Sequence, residues 1–171
     1  MFLVYGGDEE LRVRGYTDSG FQSDPDDSKA QSGYMFILNG GAISWRSSKQ
    51  GTVADSTMEA EYVAASEAIK DSFWIKKFIT KLGVVPSVVD PIELYCDNSS
   101  AVALAKDPRS HNKAKHIECK DHLIRDHVAK GHTAIRRVYT IDNVADPMTK
   151  ALQCLKFEPH RFNIGLKEGL M

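Results

Sequence analysis

Cysteine is scarce in this sequence of 171 residues, and the cysteines present form no motif. Cys96, Cys119 and Cys154 are an odd number, lie far apart and include no Cys-x-x-Cys pair. This argues against a disulfide framework or a zinc ribbon, so we expect reduced thiols. Long apolar runs are also lacking: no stretch of about 18 apolar residues could span a membrane, and residues 1–4 are too short for a signal sequence. We therefore expect a soluble, intracellular protein.

A large excess of one charge is also absent, because the formal net charge is −1. This total argues against a wholly basic nucleic-acid coat, but the two signs are segregated. Residues 109–137 contain eight Lys or Arg and three acids, and residues 1–30 contain seven acids and three bases. Such a chain can bind cations at one place and a polyanion at another. Its length and its 42% of apolar residues fit one domain with a real core.

Periodicity and turn residues predict a single α/β domain with a mixed sheet. Three antiparallel strands are expected at residues 11–17, 33–38 and 42–46, with Asn39-Gly40 as a hairpin turn. A long helix over residues 56–82 begins with a capping box formed by Ser56 and Glu59. The remaining elements are a strand at 92–96, helices at 99–106 and 115–130, a strand at 133–139 and a helix at 143–152. Residues 153–171 have weak periodicity and are expected to wrap over the domain or fray.

Four acids stand near the ends of predicted elements: Asp18, Glu61, Asp97 and Asp146. They are 43, 36 and 49 residues apart, so only the fold can gather them. A carboxylate cluster calls for hard divalent cations, and two such ions suit in-line phosphoryl transfer. Taken singly, three of the acids also have a purely structural interpretation. These are a turn residue for Asp18, a helix cap for Asp97 and part of a cap begun by Asn143 for Asp146. Glu61 heads the predicted buried face of the long helix, where an unpaired charge is costly.

Five short sequence motifs are identified, four of which contain these acids. They are Gly15-Tyr16-Thr17-Asp18-Ser19, Ser56-Thr57-Met58-Glu59-Ala60-Glu61-Tyr62-Val63-Ala64, Leu94-Tyr95-Cys96-Asp97-Asn98-Ser99-Ser100-Ala101, Lys115-His116-Ile117 and Asn143-Val144-Ala145-Asp146-Pro147-Met148-Thr149-Lys150. Together they closely resemble the ribonuclease H domain of copia-type LTR retrotransposon Pol polyproteins of the plant kind, over about residues 4–152. The resemblance implies a ribonuclease H-like fold, with a mixed five-stranded sheet, three antiparallel strands first, flanked by helices.

The resemblance also implies a chemistry and a set of catalytic residues. The activity would be endonucleolytic hydrolysis of the RNA strand of RNA–DNA hybrids, giving 5′-phosphate ends during reverse transcription, with two Mg²⁺ ions for which Mn²⁺ can substitute. The implied catalytic and metal-binding residues are Asp18, Glu61, Asp97 and Asp146. Asp18 would bridge both ions. Glu61 and Asp97 would complete the ligands of one ion, and Asp146 would complete those of the other. Glu61 is preferred to Glu59 because the family pattern fits Glu61 and the capping box already occupies Glu59.

Substrate contacts are expected from residues beside the acids and from the basic stretch at 109–137. These residues are Ser19, Asn98, Lys113, Lys115, His116 and Arg125. The basic stretch would bind hybrid phosphates, with a solvated surface as the structural alternative. Ser19 or Asn98 would touch the 2′-hydroxyl. The tryptophans, Trp45 and Trp74, are expected to be partly buried, with stacking on bases as the alternative.

The histidines give a weaker signal than the acids. Cellular ribonucleases H place a mobile histidine before the last helix, but residues 138–145 contain none, and His132 is the nearest candidate. A zinc site is another hypothesis, built from His111, His116, His122 and His127. Their spacings of five or six residues do not stack on one helical face, which disfavours it.

The resemblance also predicts how the chain is divided and where it acts. Residues 1–10 would be a remnant of the linker from reverse transcriptase, 11–152 the ribonuclease H domain, and 153–171 a C-terminal tail. The expected partners are the hybrid and the reverse transcriptase portion of the same polyprotein, with no membrane and a monomeric isolated domain. The expected location is the cytoplasm, in the virus-like particle of a retroelement, or the nucleus. The alternative is a catalytically silent or domesticated module that binds hybrid or protein, and an integrase-type enzyme is disfavoured by the order of the acids.

Overall fold

The computed structural model describes residues 1–6, 11–24, 26–83, 90–106 and 115–169, without the side chains of residues 115–121. Its strands are β1 (Phe2–Leu3), β2 (Val13–Gly20), β3 (Gln31–Leu38), β4 (Gly41–Lys49), β5 (Ile92–Cys96), β6 (Thr133–Arg137) and β7 (Leu166–Lys167). Its helices are α1 (Thr57–Leu82), α2 (Ser99–Lys106), α3 (Lys115–Ala129) and α4 (Cys154–Asn163), with two 3-10 turns at Thr140–Asp142 and Asp146–Met148. No helix in these ranges is long and apolar enough to cross a membrane.

The main sheet has five strands in the order β4-β3-β2-β5-β6. Strands β2, β3 and β4 are antiparallel, whereas β5 is parallel to both β2 and β6. The predicted mixed sheet, with three antiparallel strands first, is therefore confirmed. Because β2 and β5 are parallel, their carboxyl ends lie at the same edge, and Thr17 is paired with Cys96 there. This register places Asp18 close to Asp97 even though they are far apart in sequence.

Both faces of the sheet are covered, and β3 shows how its residues are divided between them. Phe36 belongs to a large apolar cluster that includes Tyr62 of α1 and Leu94 of β5. Met35 and Ile37 point to the opposite face, as the alternation of a strand requires. That second cluster includes Val144 and Ile164 from the C-terminal part of the chain, and Tyr16 packs against it. Asp18 follows Tyr16 by two residues and lies on the same face.

Helix α1 begins and ends as its sequence predicts. The Ser56 side chain accepts a hydrogen bond from the Glu59 amide at 3.2 Å, and Gly83 closes the helix in the left-handed region, with φ of 67°. The predicted inward face is buried at Glu61, Ala64, Ala68, Ser72, Ile75 and Ile79. Leu82, also predicted on that face, is 53% exposed because the helix ends there.

The structure corrects several predicted boundaries near the C-terminus. The helix predicted at residues 143–152 is absent, and Asp146 instead begins a 3-10 turn. Pro147 explains this difference, because proline disfavours a helical residue before it and cannot donate an interior hydrogen bond. The predicted tail contains α4 and also β7, which pairs with β1. The division at residue 152 stays a prediction about function, although the fold continues past it.

Two further expectations about individual residues are wrong. Strand β2 continues to Gly20, so Asp18 lies inside the strand and does not form a turn. Trp45 and Trp74 are 57% and 60% exposed, so neither is part of the core. Trp74 stacks instead on Phe78, one helical turn further along the exposed side of α1, with ring centroids 5.2 Å apart.

Candidate active site

Asp18 is the central acid of the site and is fully buried. It pairs with Gly33 in the β2–β3 register, and its carboxylate accepts a hydrogen bond from the Thr149 hydroxyl. The Lys150 ammonium lies 3.3 Å from the Oδ2 atom of Asp18. A buried carboxylate with these two partners is more than a turn residue, because its burial carries a desolvation cost.

Glu61 reaches the same edge of the sheet from the first turns of α1. The backbone N–H of Ser19 donates to its Oε1 at 3.2 Å, and the Cys96 thiol donates to its Oε2 at 3.8 Å. Glu59, two residues earlier, is also buried. Its Oε2 accepts from the backbone N–H of Asp55 at 3.0 Å, and its own amide is capped by Ser56. The structure therefore gives Glu59 a capping role and places Glu61 among the acids.

Asp97 follows the end of β5 and lies beside Glu61. Ligand atoms of Glu61, Cys96 and Asp97 lie within 4.8 Å of one another, and no other such group of three His, Cys, Asp or Glu was found in the described part of the chain. Helix α2 is capped by Asn98, whose Oδ1 accepts from the amides of Ser100 and Ala101 at 3.0 Å. The capping role considered for Asp97 therefore belongs to its neighbour.

Asp146 comes to the site on the 3-10 turn that replaces the predicted helix. The Lys150 ammonium donates to its Oδ1 at 2.7 Å. Asn143 fixes the approach to this turn, because its Nδ2 donates to the Thr17 carbonyl at 3.0 Å and its Oδ1 accepts from the Ala145 amide at 3.2 Å. The neighbouring acid Asp142 is exposed in the preceding turn.

The acids influence one another's ionisation. Burial first, and then the charges of Asp97 and Asp146, raise the pKa of Asp18 to about 6, although Thr149 and Lys150 act in the opposite direction. Burial and the charges of Asp18 and Asp97 raise the pKa of Glu61 to about 8. Both carboxyls are thus harder to ionise than exposed ones, mainly because they are buried and secondly because other acids lie near them.

This donor set fits hard divalent cations. The carboxylates of Asp18, Glu61, Asp97 and Asp146 offer oxygen ligands, which Mg²⁺ prefers. Cys96 is the sulfur neighbour, but burial and the nearby Glu61 charge raise the pKa of its thiol. A protonated thiol that donates to Glu61 is a poor ligand for zinc, which binds the thiolate. The described donor set is therefore one that hard divalent cations could bind.

The predicted substrate-binding residues are only partly placed by the structure. The Ser19 hydroxyl is buried, so the group this residue offers to the site is its backbone N–H. Asn98 keeps its side-chain NH₂ group, because its Oδ1 is the atom that caps α2. Arg125 is half-buried on α3. Lys113 lies outside the described residues, and Lys115 and His116 belong to α3 with side chains that are not described. Their substrate contacts stay predictions.

The histidine candidates lie away from the acids or outside the described residues. His132 precedes β6, where Thr133 pairs with Ile92 at the start of β5. Asp97 follows the other end of β5, roughly 16 Å away at the usual strand rise. His132 instead packs against Phe73 and His127, with ring centroids 5.1 and 5.3 Å apart. Of the other proposed zinc ligands, His122 is exposed, His111 lies outside the described residues and the side chain of His116 is not described.

Sequence reasoning missed three residues that shape the site. Lys150 and Thr149 contact the acids directly. The sequence signal that pointed to these contacts was the i, i+4 spacing of Asp146 and Lys150 within the motif at residues 143–150. His160 was missed because no helix was predicted in residues 153–171, where α4 lies. It is buried on α4 and lines a cavity of about 350 Å³ that also borders Asp146.

Comparisons with known proteins show which proteins this chain is similar to. The chain is 38% identical over 164 residues to a Pol polyprotein from transposon TNT 1-94 of Nicotiana tabacum, covering 96% of this chain and 12% of that polyprotein. It is 35% identical over 166 residues to one from transposon RE1 of Arabidopsis thaliana, covering 97% of this chain and 11% of that one. The chain thus spans a small part of these curated relatives. No family model matches it.

The fold is shared with solved ribonucleases H. LC11-RNase H1, determined in complex with RNA/DNA hybrid, superposes with a TM-score of 0.59 at 18% identity, covering 81% of this chain and 94% of that one. The sheet order and the four-acid edge define a domain of the ribonuclease H type. With the polyprotein relatives, the chain belongs to the ribonuclease H domains of copia-type retrotransposon Pol polyproteins.

Proposed function

We propose that this domain is an endoribonuclease that hydrolyses the RNA strand of RNA–DNA hybrids and leaves 5′-phosphate ends. The observation that carries the proposal is that carboxylates from distant segments gather at one edge of the sheet: Glu61 lies beside Asp97, and Lys150 joins Asp18 to Asp146. The amide of Ser19, next to Asp18, links the two pairs by donating to Glu61. The ribonuclease H fold supports it, because a structure of similar fold was determined with an RNA/DNA hybrid. The intact acids argue against the silent or domesticated module.

The chemistry requires two divalent cations held by these carboxylates. When bound, such ions supply a nucleophile from water and stabilise charge on the attacking and leaving oxygens of the phosphate. We assign Asp18 to both ions, Glu61 and Asp97 to one, and Asp146 to the other. The protein's contribution is orientation: Thr149 holds the Asp18 carboxylate, and the Ser19 amide holds that of Glu61.

The biological setting is also a proposal. As part of a Pol polyprotein, the domain would act beside the reverse transcriptase portion of the same chain, on the hybrid formed during reverse transcription. Residues 1–10 would then be the end of the linker between them. We propose action in the cytoplasm, in the virus-like particle of the retroelement, or in the nucleus, and a monomeric state for the isolated domain.

The test is cleavage of a labelled RNA–DNA hybrid with Mg²⁺ by the parent, Asp97→Asn and Glu61→Gln. We expect cleavage by the parent and a loss of at least about 100-fold in both variants, because altering even the partners of metal ligands costs about 10–100-fold. Mn²⁺ should replace Mg²⁺. Activity that survives both substitutions would contradict the assignment, and an inactive parent would favour the silent module.

Glu59→Gln is the matched control for Glu61→Gln. Both changes neutralise one buried glutamate at the start of α1. We expect Glu59→Gln to lower the free energy of unfolding by about 0.5–2 kcal/mol, because it weakens a helix cap, and to leave the cleavage rate per folded molecule unchanged. If Glu59→Gln abolished cleavage and Glu61→Gln did not, the choice between the two glutamates would be wrong.

A further inference from the structure

The Lys150 ammonium occupies the space between two of the proposed metal ligands. Its nitrogen lies 2.7 Å from Oδ1 of Asp146, 3.4 Å from Oδ1 of Asp18 and 3.3 Å from Oδ2 of Asp18. Among the described ion pairs, Lys150 supplies the cation for both of these acids. Without it, two carboxylates, one of them fully buried, would face each other with no neutralising charge.

A divalent ion bound by Asp18 and Asp146 needs the same oxygen atoms. Mg²⁺ sits about 2.0–2.1 Å from its ligands, so it would compete with the ammonium for these lone pairs. The two cations also repel each other at this distance, and the burial of the carboxylates limits screening by water. Binding of the ion between these acids and the observed Lys150 contacts are therefore antagonistic.

Lys150 can leave this position without a change in the backbone. Its side chain is 43% exposed, and a lysine stem of four methylene groups can turn its ammonium into water. Thr149, by contrast, is buried and keeps its contacts to Asp18 and to the Asp146 carbonyl. The turn can thus stay in place while the lysine moves.

We propose that Lys150 is a built-in counter-ion that holds Asp18 and Asp146 together in the metal-free domain and is displaced by the metal ion these acids bind. It is a positioning residue, and it sets the affinity of that metal position. The inference rests on the proposed metal site, but it does not require that the domain cleave RNA. A purely structural ion pair would stabilise the fold without opposing the metal.

The test compares Mn²⁺ binding by the parent and Lys150→Gln, followed through the electron paramagnetic resonance signal of free Mn²⁺ at one fixed pH. We expect Lys150→Gln to bind Mn²⁺ at least about 5-fold more tightly, the lower end of typical coupling between two sites. Its melting temperature without metal should be lower than the parent's, and the rise on adding metal should be larger. Lys150→Arg, which keeps the charge, should bind Mn²⁺ as weakly as the parent.

Lys156→Gln is the matched control. Lys156 lines the cavity beside Asp146 and carries the same charge, so its replacement removes the same charge from the neighbourhood. We expect its Mn²⁺ affinity to stay within about 2-fold of the parent's, far below the roughly 5-fold change expected for Lys150→Gln.

A second measurement uses only the parent and so does not depend on a variant that folds. ¹⁵N NMR of the parent should show a hydrogen-bonded Lys150 ammonium, and this hydrogen-bonded state should be lost when Mg²⁺ is added.

The outcomes separate this inference from the proposed function. Equal Mn²⁺ affinity in the parent and Lys150→Gln, or a Lys150 ammonium signal unchanged by Mg²⁺, would overturn the displacement while leaving the metal site standing. Binding that is the same in Asp18→Asn as in the parent would overturn both. Mn²⁺ binding that responds to Lys150→Gln, in a domain that cleaves no hybrid, would support the displacement and reject the proposed activity.

Discussion

At the scale of single residues, the site depends on carboxylates held where the solvent cannot stabilise their charge. Asp18 lies on a central strand, and Glu61 lies on the buried face of α1. The sequence predicted Glu61 because a charge on an apolar helical stripe has a cost that a bound ion offsets, and it predicted Asp18 from the motif at the end of a predicted strand. Lys150 was not predicted, since a lysine near an acid is common, and its spacing from Asp146 does not show that it also meets Asp18.

The raised pKa values of Asp18 and Glu61 predict how stability depends on pH when metal is absent. Their carboxyls titrate near pH 4 in the unfolded chain, but near pH 6 and pH 8 in the folded one. Between about pH 4 and pH 8 the folded state therefore binds more protons, so the free energy of unfolding falls as pH rises. Melting curves in EDTA should show this decline, and Mg²⁺ at pH 8 should reverse it.

Comparing Glu61→Gln with the parent isolates the contribution of the Glu61 carboxyl to the pH dependence of stability. His127 and the other titrating groups are present in both proteins. The pKa of His127 is lowered by burial and by His132, so its contribution runs in the opposite direction. We expect the melting temperature of Glu61→Gln, relative to the parent's, to rise from pH 5 to pH 8. Parallel curves would show that Glu61 does not titrate in this range.

At the scale of elements, local signals predicted helix starts better than they predicted the C-terminal segments. Ser56 caps α1 as predicted, and α2 begins where predicted, although its cap is Asn98 and not the neighbouring Asp97 that the sequence suggested. The segment around Asp146 was misread as a helix because its residues suit one until Pro147 is considered. Its actual path depends on the Asn143 contact with Thr17, a partner 126 residues away.

Gly33→Ala tests whether the close approach of β3 and the Asp146 turn positions the site. A Cβ at Gly33 would lie 2.7 Å from Cβ of Met148 and 2.7 Å from Cγ2 of Thr149. We expect a loss of about 1–3 kcal/mol in the free energy of unfolding from overpacking, measured with urea. We also expect slower hybrid cleavage by the folded protein, because Thr149 holds Asp18.

Gly51→Ala provides the control for this substitution. A Cβ at Gly51 would meet no heavy atom within 4 Å, so the same chemical change is made in open space. We expect its stability to stay within about 0.5 kcal/mol of the parent's and its cleavage rate to be unchanged. Equal behaviour of the two variants would show that contact with the turn is not needed.

At the scale of the whole molecule, the ends of the chain are joined to the sheet and to each other. Strand β1 pairs with β7, the Val4 amide donates to the Gly165 carbonyl at 2.8 Å, and the Ala42 amide donates to the Ile164 carbonyl at 3.0 Å. Ile164 also completes the second apolar cluster. Weak periodicity in residues 153–171 hid this role, because a short helix and a two-residue strand carry little pattern of their own.

A chain trimmed to residues 11–152 should therefore be less stable than the full chain. Trimming uncovers Met35, Ile37 and Val144 by removing Ile164, and burial of one such side chain is worth about 1.5–3 kcal/mol. Thermal unfolding at one pH and salt concentration is the measurement. An unchanged melting temperature would indicate that the terminal segments do not stabilise the domain. That result would agree with the prediction that residues 1–10 are a linker and residues 153–171 a tail.

The sequence by itself determined the order of the elements from β2 to β6, the mixed sheet, the four candidate acids and the family resemblance. These follow from local patterns and short motifs, which a chain carries wherever it folds. Only the tertiary structure decided that Asp18 lies inside a strand, that Asp146 stands on a 3-10 turn, and that Lys150 stands between Asp18 and Asp146. The physical reason is that these facts depend on contacts between distant segments, whose burial and charge no local pattern contains.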